Sequence, residues 1–184
     1  HPRTPIYVGD VSDDLVDQFV SATGETLPAL LAGSCDGQPE RLAARAAWLW
    51  GHRQHAWMQF RTARFTAFWR KAVGSLHAAG KRVILNSTWT RDPFEAMYRY
   101  GVDYRELAAI GVDGFVVEAA ATASETERGQ STAAPLHEFA AMLMLLKARI
   151  PQVPLLYLNG VKDSLEQWNV IRHCRRRWSG RLSV

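Results

Sequence analysis

The chain has 184 residues, 47% of them hydrophobic and 22% charged, a balance that excludes disorder throughout and allows a core without covalent staples. Two cysteines, Cys35 and Cys174, exclude a disulfide-dense scaffold and leave the compartment open. No apolar run approaches the ~20 residues of a membrane-spanning helix. The formal charge of +4 is well short of the extremes of nucleic-acid-binding proteins. The chain opens on His1 rather than Met and carries no signal-peptide pattern, which reads as a piece of something longer.

In chain order, Pro5 to Asp10 reads as a strand, and Ser12 as the cap of a helix over Asp13 to Ala22. Leu27 to Ala32 reads as a second strand ending at Ser34-Cys35-Asp36. From Pro39 to Ala79 helix formers dominate, with Gly51 as the expected break. Phe65, Trp69, Ala72, Val73 and Leu76 fall on one apolar stripe there.

After Gly80 the grammar becomes regular. The β-branched run Arg82 to Thr88 predicts a strand. Asp92-Pro93-Phe94-Glu95 then predicts a helix with Asp92 as N-cap, Pro93 at N1 and Glu95 at N3, ended by Gly101. Asp103 and Glu106 repeat the pattern for a short helix to Ile110. Gly111 to Gly114 turns into the unbroken apolar run Phe115 to Val117, closed by Glu118, as in a parallel strand buried on both faces. A small-residue loop follows, then a helix from Pro135 to Arg149, a strand Leu155 to Asn159, and a last helix capped by Asp163.

The run ends at Asn86, Glu118 and Asn159 lie 32 and 41 residues apart. A βαβ unit takes ~30 residues or more, and a (β/α)8 barrel averages about 31 per unit. No Gly-rich phosphate loop follows any strand, which disfavours a doubly wound dinucleotide fold. The fold expected is α/β, a partial (β/α)8 TIM-barrel-like parallel sheet with surrounding helices, in a single domain over 1–184 that is incomplete as a barrel.

Barrel chemistry sits at the C-terminal ends of strands. Glu118, a lone carboxylate closing an apolar strand, is therefore the leading catalytic candidate; a structural ion pair is the bland alternative. Asn86, with Ser87 and Trp89 beyond it, would line the same mouth, an Asn and a Trp suiting sugar hydroxyls and the apolar face of a pyranose. Asn159 has the same status, although Asn159-Gly160 is also an ordinary turn dipeptide. Asp10 and Asp36 are the other carboxylates at expected strand ends, Asp36 as a candidate partner of Glu118 and Asp10 as a substrate-binding candidate. His52 and His55 lack a third ligand, so no metal is assigned, and no cofactor is called for. Basic and aromatic residues interleave over Arg53, Arg61, Arg64, Arg70 and Lys71, but the aromatics fall on a core-like stripe and a solvated basic face is the better reading. Arg172, His173, Arg175, Arg176 and Arg177 load the last helix and leave a basic nucleic-acid-binding protein as an alternative, disfavoured reading.

The stretch Phe65-Thr66-Ala67-Phe68-Trp69, through Leu76 to Lys81, into Val83-Ile84-Leu85-Asn86, resembles barrel glycoside hydrolases, in particular β-galactosidase-like members of the retaining clan. Gly111 to Glu118 looks like their next strand with its terminal carboxylate. The resemblance covers roughly residues 60 to 120. It implies a (β/α)8 barrel, a carbohydrate substrate, and Glu118 as nucleophile with Asp36, or a carboxyl from missing sequence, as partner. The clan's acid/base follows an Asn in an Asn-Glu pair, and this chain contains no such pair. A catalytically inactive carbohydrate-binding barrel is accordingly the alternative. An open parallel sheet would also invite association with another chain or with the rest of a longer one.

Overall fold

The computed structural model describes residues 11–35, 37–87, 90, 92–119 and 133–159. Three helices come first: α1 (Asp13–Thr23), α2 (Pro39–His52) and α3 (Gln54–Ala78). Then follow β1 (Ile84–Asn86), α4 (Pro93–Tyr100), α5 (Tyr104–Ala109), β2 (Gly114–Ala119), α6 (Ala133–Arg149) and β3 (Leu155–Asn159).

The three strands form one parallel sheet in the order β1-β2-β3. Parallel neighbours need crossovers, and α4 with α5, then α6, supply them. Right-handed crossovers running in one direction place their helices on one face of a sheet. Leu85, Phe115, Val117 and Leu155 are buried in a core shared with Ala96 of α4, Leu107 of α5 and Leu143 and Leu146 of α6. Tyr104 meets Phe115 edge to face, with ring centroids 5.2 Å apart. The alternate positions differ: Ile84 is 44% exposed, Asn86 is exposed, and Val116 and Leu156 are half-buried.

Local chemistry sets the boundaries in this half. The Asp92 carboxylate accepts the Glu95 N–H at 2.8 Å, and Pro93 occupies the first turn, where a missing N–H costs nothing. The Glu95 carboxylate in turn accepts from Arg99 Nε one turn on, at 2.7 Å. Asp103 accepts the N–H groups of Arg105 and Glu106 to open α5. Gly101 closes α4 at φ 70°, and a Cβ there would come within 3.2 Å of the Arg61 backbone, so both conformation and space demand glycine.

A second core lies between the first three helices, built from Val16, Phe19, Ala46, Leu49, Trp57 and Phe60. Phe19 makes edge-on contacts with Trp57 at 5.2 Å and Phe60 at 5.4 Å. Helix α3, about 37 Å long at 1.5 Å per residue, serves both cores. At about 100° per residue, Trp57 and Phe60 lie nearly opposite the later stripe of Thr62, Phe65, Thr66, Trp69 and Val73. The N-terminal turns of α3 therefore bury one side against α1 and α2, and its later turns bury the other side against the α/β unit.

Several expectations need correction. Leu27 to Ala32 forms no strand: the Leu31 and Ala32 N–H groups both donate to the Pro28 carbonyl in a tight turn. The physical reason is that the next carbonyls are taken by arginine side chains rather than by a neighbouring strand. Arg45 donates to Leu31 O and Gly33 O, and Arg41 to Ala32 O and Ser34 O. The long helical stretch breaks at Arg53 rather than at Gly51. Ser12 stands at the N-cap of α1 without a side-chain capping bond, and Leu76 of the expected stripe is 41% exposed. Among the described residues there are three strands against the five expected. The α/β character stands; barrel closure is not part of what these residues display. The expected strand Pro5–Asp10 and the helix after Asp163 lie outside the described residues.

Candidate functional site

The sheet register brings three of the expected site positions to one edge. Asn86, the last residue of β1, pairs with Val116, and the Ser87 N–H extends the ladder by donating to Val116 O at 2.7 Å. Glu118 lies two residues further along β2, opposite Leu158. Its neighbour Ala119 pairs with Asn159, the last residue of β3. Asn86 and Asn159 end β1 and β3 and Glu118 is the last residue but one of β2, so all three lie at the common C-terminal edge, Asn86 and Glu118 on one face by register and Asn159 on the other. That edge is where the loops of parallel α/β folds converge on ligands, because every crossover leaves the sheet from there. Ser87, beside Asn86, is buried. Asp10, Asp36 and Trp89 lie outside the described residues. With Leu27 to Ala32 folded as a turn, the reason for placing Asp36 at a strand end is gone.

The opposite edge of the sheet is a joint. Asp113, just before β2, accepts the Val83 N–H at 2.6 Å and meets His77 Nε2 at 2.9 Å, while its own N–H donates to Val83 O at 2.9 Å. One carboxylate therefore ties the end of α3 to the starts of β1 and β2. The Val83 N–H, and then the His77 contact, hold the Asp113 carboxyl below its ordinary value. The joint lies at the N-terminal edge of the strands, opposite the edge reached by Asn86 and Glu118.

A second polar cluster sits under the loop that precedes α2. The Arg45 side chain is 2% exposed and donates to Asp13 Oδ1 at 2.7 Å, Gly33 O at 2.7 Å and Val11 O at 3.2 Å. Asp13 also accepts from Ser34 Oγ and from the Cys35 N–H. These bonds, Arg45 first, hold the Asp13 carboxyl below its ordinary value. Every partner of Arg45 is internal, so the cluster organises the loop. Cys35, fully buried, is enclosed by the same loop.

Three further arginines of the helical stretch are also occupied. Arg53 pairs with Glu25 and lies over the Trp48 ring, and Arg64 lies over Phe60. Arg61 donates to Tyr98 O and Arg99 O, the last carbonyls of α4, with its guanidinium over Trp50. His52 stacks on Trp48 of its own helix. Among the described residues, no three His, Cys, Asp or Glu group as a metal site, and no helix is long and apolar enough to cross a membrane.

Local sequence patterns did not reveal Arg45 or Asp113. Arg45 and Asp113 act across 30 residues or more, which no local period encodes. No protein-family model, no curated protein and no solved structure matches this chain.

Proposed function

We propose that the C-terminal edge of the sheet is a carbohydrate site and that the protein is a glycoside hydrolase of the retaining type, built on a partial (β/α)8 barrel. The observation that carries this reading is that Asn86 and Glu118 lie on one face at the C-terminal edge of two adjacent parallel strands. By register Asn86 and Glu118 share one face of the sheet, so β1 supplies an amide donor and acceptor for sugar hydroxyls beside the carboxylate of β2, while Asn159 falls on the other face.

Retaining hydrolysis needs two carboxyl groups about 5–5.5 Å apart. Glu118 attacks the anomeric carbon, and the glycosidic C–O bond breaks as the partner acid protonates the leaving oxygen. Water, deprotonated by that same partner, then releases the sugar from Glu118. The partner proposed, on the resemblance alone, is Asp36, which lies outside the described residues, or a carboxyl of a longer chain.

The test is turnover of an aryl β-galactoside by the wild-type chain and by Glu118→Gln, with thermal melts alongside. Expected is loss of turnover with the melting temperature nearly unchanged. A variant that keeps full activity removes Glu118 from the chemistry. A wild-type chain that binds galactosides and never cleaves them instead establishes an inactive carbohydrate-binding barrel, the reading favoured by the missing Asn-Glu pair.

A further inference from the structure

Ten of the 22 lysines and arginines fall in residues 41–91, a run without a single Asp or Glu. The rest of the chain holds all 18 carboxylates against twelve cations. A surface that serves solubility alone mixes both signs, so charge of one sign over so long a run points to an anionic partner. The fold divides these cations into two sets. Arg41, Arg45, Arg53 and Arg61 are bonded to carbonyls or carboxylates of this chain. Arg64, Arg70, Lys71, Lys81 and Arg82 are exposed, and none of them is hydrogen-bonded or ion-paired to another described residue.

Helix α3 gathers part of the second set around a ring. Arg64, Phe68 and Lys71 follow at i, i+4 and i+7, within about 60° of one another around the axis. They lie opposite the inward stripe of Thr62, Thr66, Trp69 and Val73. Phe68 is thus off the core-like stripe on which the solvated-face reading rests, and it is 64% exposed. The Arg64 guanidinium lies over the Phe60 ring at 5.9 Å, which holds its plane and leaves its N–H edges open. Lys81 and Arg82 carry the positive charge past the C-terminal end of the helix.

We propose that this face of α3 binds single-stranded nucleic acid, with a base stacked on Phe68 and the adjoining phosphates held by Arg64 and Lys71. Cations that follow the backbone, combined with an aromatic ring under a base, are the paired contacts of sequence-tolerant single-strand binding. A base in a duplex is covered by its neighbours, so an exposed ring selects the unpaired strand. The open edge of the Arg64 guanidinium matches a phosphate with two parallel N–H bonds. This face is separate from the edge that carries Glu118, since α3 runs to the opposite edge of the sheet, where His77 meets Asp113. The nucleic-acid and carbohydrate readings therefore fail independently.

The experiment is fluorescence anisotropy of labelled oligo(dT) with the full chain at several salt concentrations. Labelled duplex DNA and vesicles of phosphatidylserine and phosphatidylcholine are the comparisons, and circular dichroism melts accompany each variant. Expected is oligo(dT) binding that weakens with salt and exceeds duplex binding. Phe68→Ala should lower the oligo(dT) affinity about fivefold or more with the salt slope unchanged, and Phe68→Trp should restore it. Arg64→Gln and Lys71→Gln should each reduce the salt slope by about 0.7. Absence of oligo(dT) binding overturns the proposal, and so does duplex binding of equal strength. Oligo(dT) affinity that Phe68→Ala leaves unchanged overturns it as well. Vesicle binding without oligo(dT) binding assigns the face to an anionic membrane surface instead. Oligo(dT) binding that survives Arg64→Gln and Lys71→Gln, and is lost on replacing Arg175, Arg176 and Arg177 by Gln, moves the site off α3 and also overturns the proposal.

Discussion

Where the α/β unit closes on Phe115, Val117 and Leu146, the N-terminal helices close on Phe19, Leu49 and Trp57 and add a buried cation, Arg45, to hold a stretch without regular structure. The first region satisfies its backbone through strand ladders and helix caps; the second lends side chains to backbone carbonyls over Ala32, Gly33 and Ser34. The difference teaches how each region can fail. Loss of a core ring opens either one, but loss of one guanidinium undoes only the second. Helix α3 belongs to both cores, so the two should unfold as a unit.

The sharpest way to break that comparison is a pair of core truncations. Trp57→Ala in the core of the N-terminal helices and Phe115→Ala in that of the α/β unit should each cost about 3–5 kcal/mol. Both should shift one cooperative urea transition followed by far-ultraviolet circular dichroism and by tryptophan fluorescence. Two separated transitions in either variant would show that α3 does not couple the halves.

Next in size is Arg45→Leu, which strands Asp13 and three backbone carbonyls and should cost about 3 kcal/mol. Hydrogen exchange should rise over residues 28 to 38 and stay unchanged in β2. Equal loss of protection in both regions would contradict the local role given to Arg45.

The smallest effect is acidic. Asp13 in one region and Asp113 in the other both titrate below the ordinary 3.8 when folded. A lowered folded value means that the unfolded chain takes up protons first. Each carboxylate therefore contributes stability that is complete above its unfolded value and is lost as the pH falls through the folded one. Chemical denaturation between pH 5 and pH 2, all on the order of the carboxylate range, should show a shallower loss in Asp113→Asn than in the wild type. An identical slope would remove Asp113 from the acid response.

The same contrast separates what the sequence disclosed from what it concealed. The caps at Asp92 and Asp103 and the stops at Gly101 and Gly111 were legible because each is a bond between a side chain or a glycine and backbone within one turn. The edge positions Asn86 and Asn159 followed from where the apolar runs end. The turn over Leu27 to Ala32 was misread because its apolar residues imitate a strand, while the group that takes up its backbone acceptors, Arg45, lies 14 residues away. Helix α3 was half legible. Its later stripe is regular, but Trp57 and Phe60 belong to a different face, and a single period cannot describe both.

That change of face makes α3 intolerant of length changes in its middle. One residue inserted between Phe60 and Phe65 would rotate every later side chain by about 100° relative to the earlier ones, turning Trp69 and Val73 away from the sheet. An insertion of four would come back within about 40° but lift the sheet by roughly 6 Å along the axis, carrying Arg61 and the Gly101 backbone out of register. Homologues that retain both cores should therefore vary in length at the loops around α3 and keep the spacing from Trp57 to Val73 fixed.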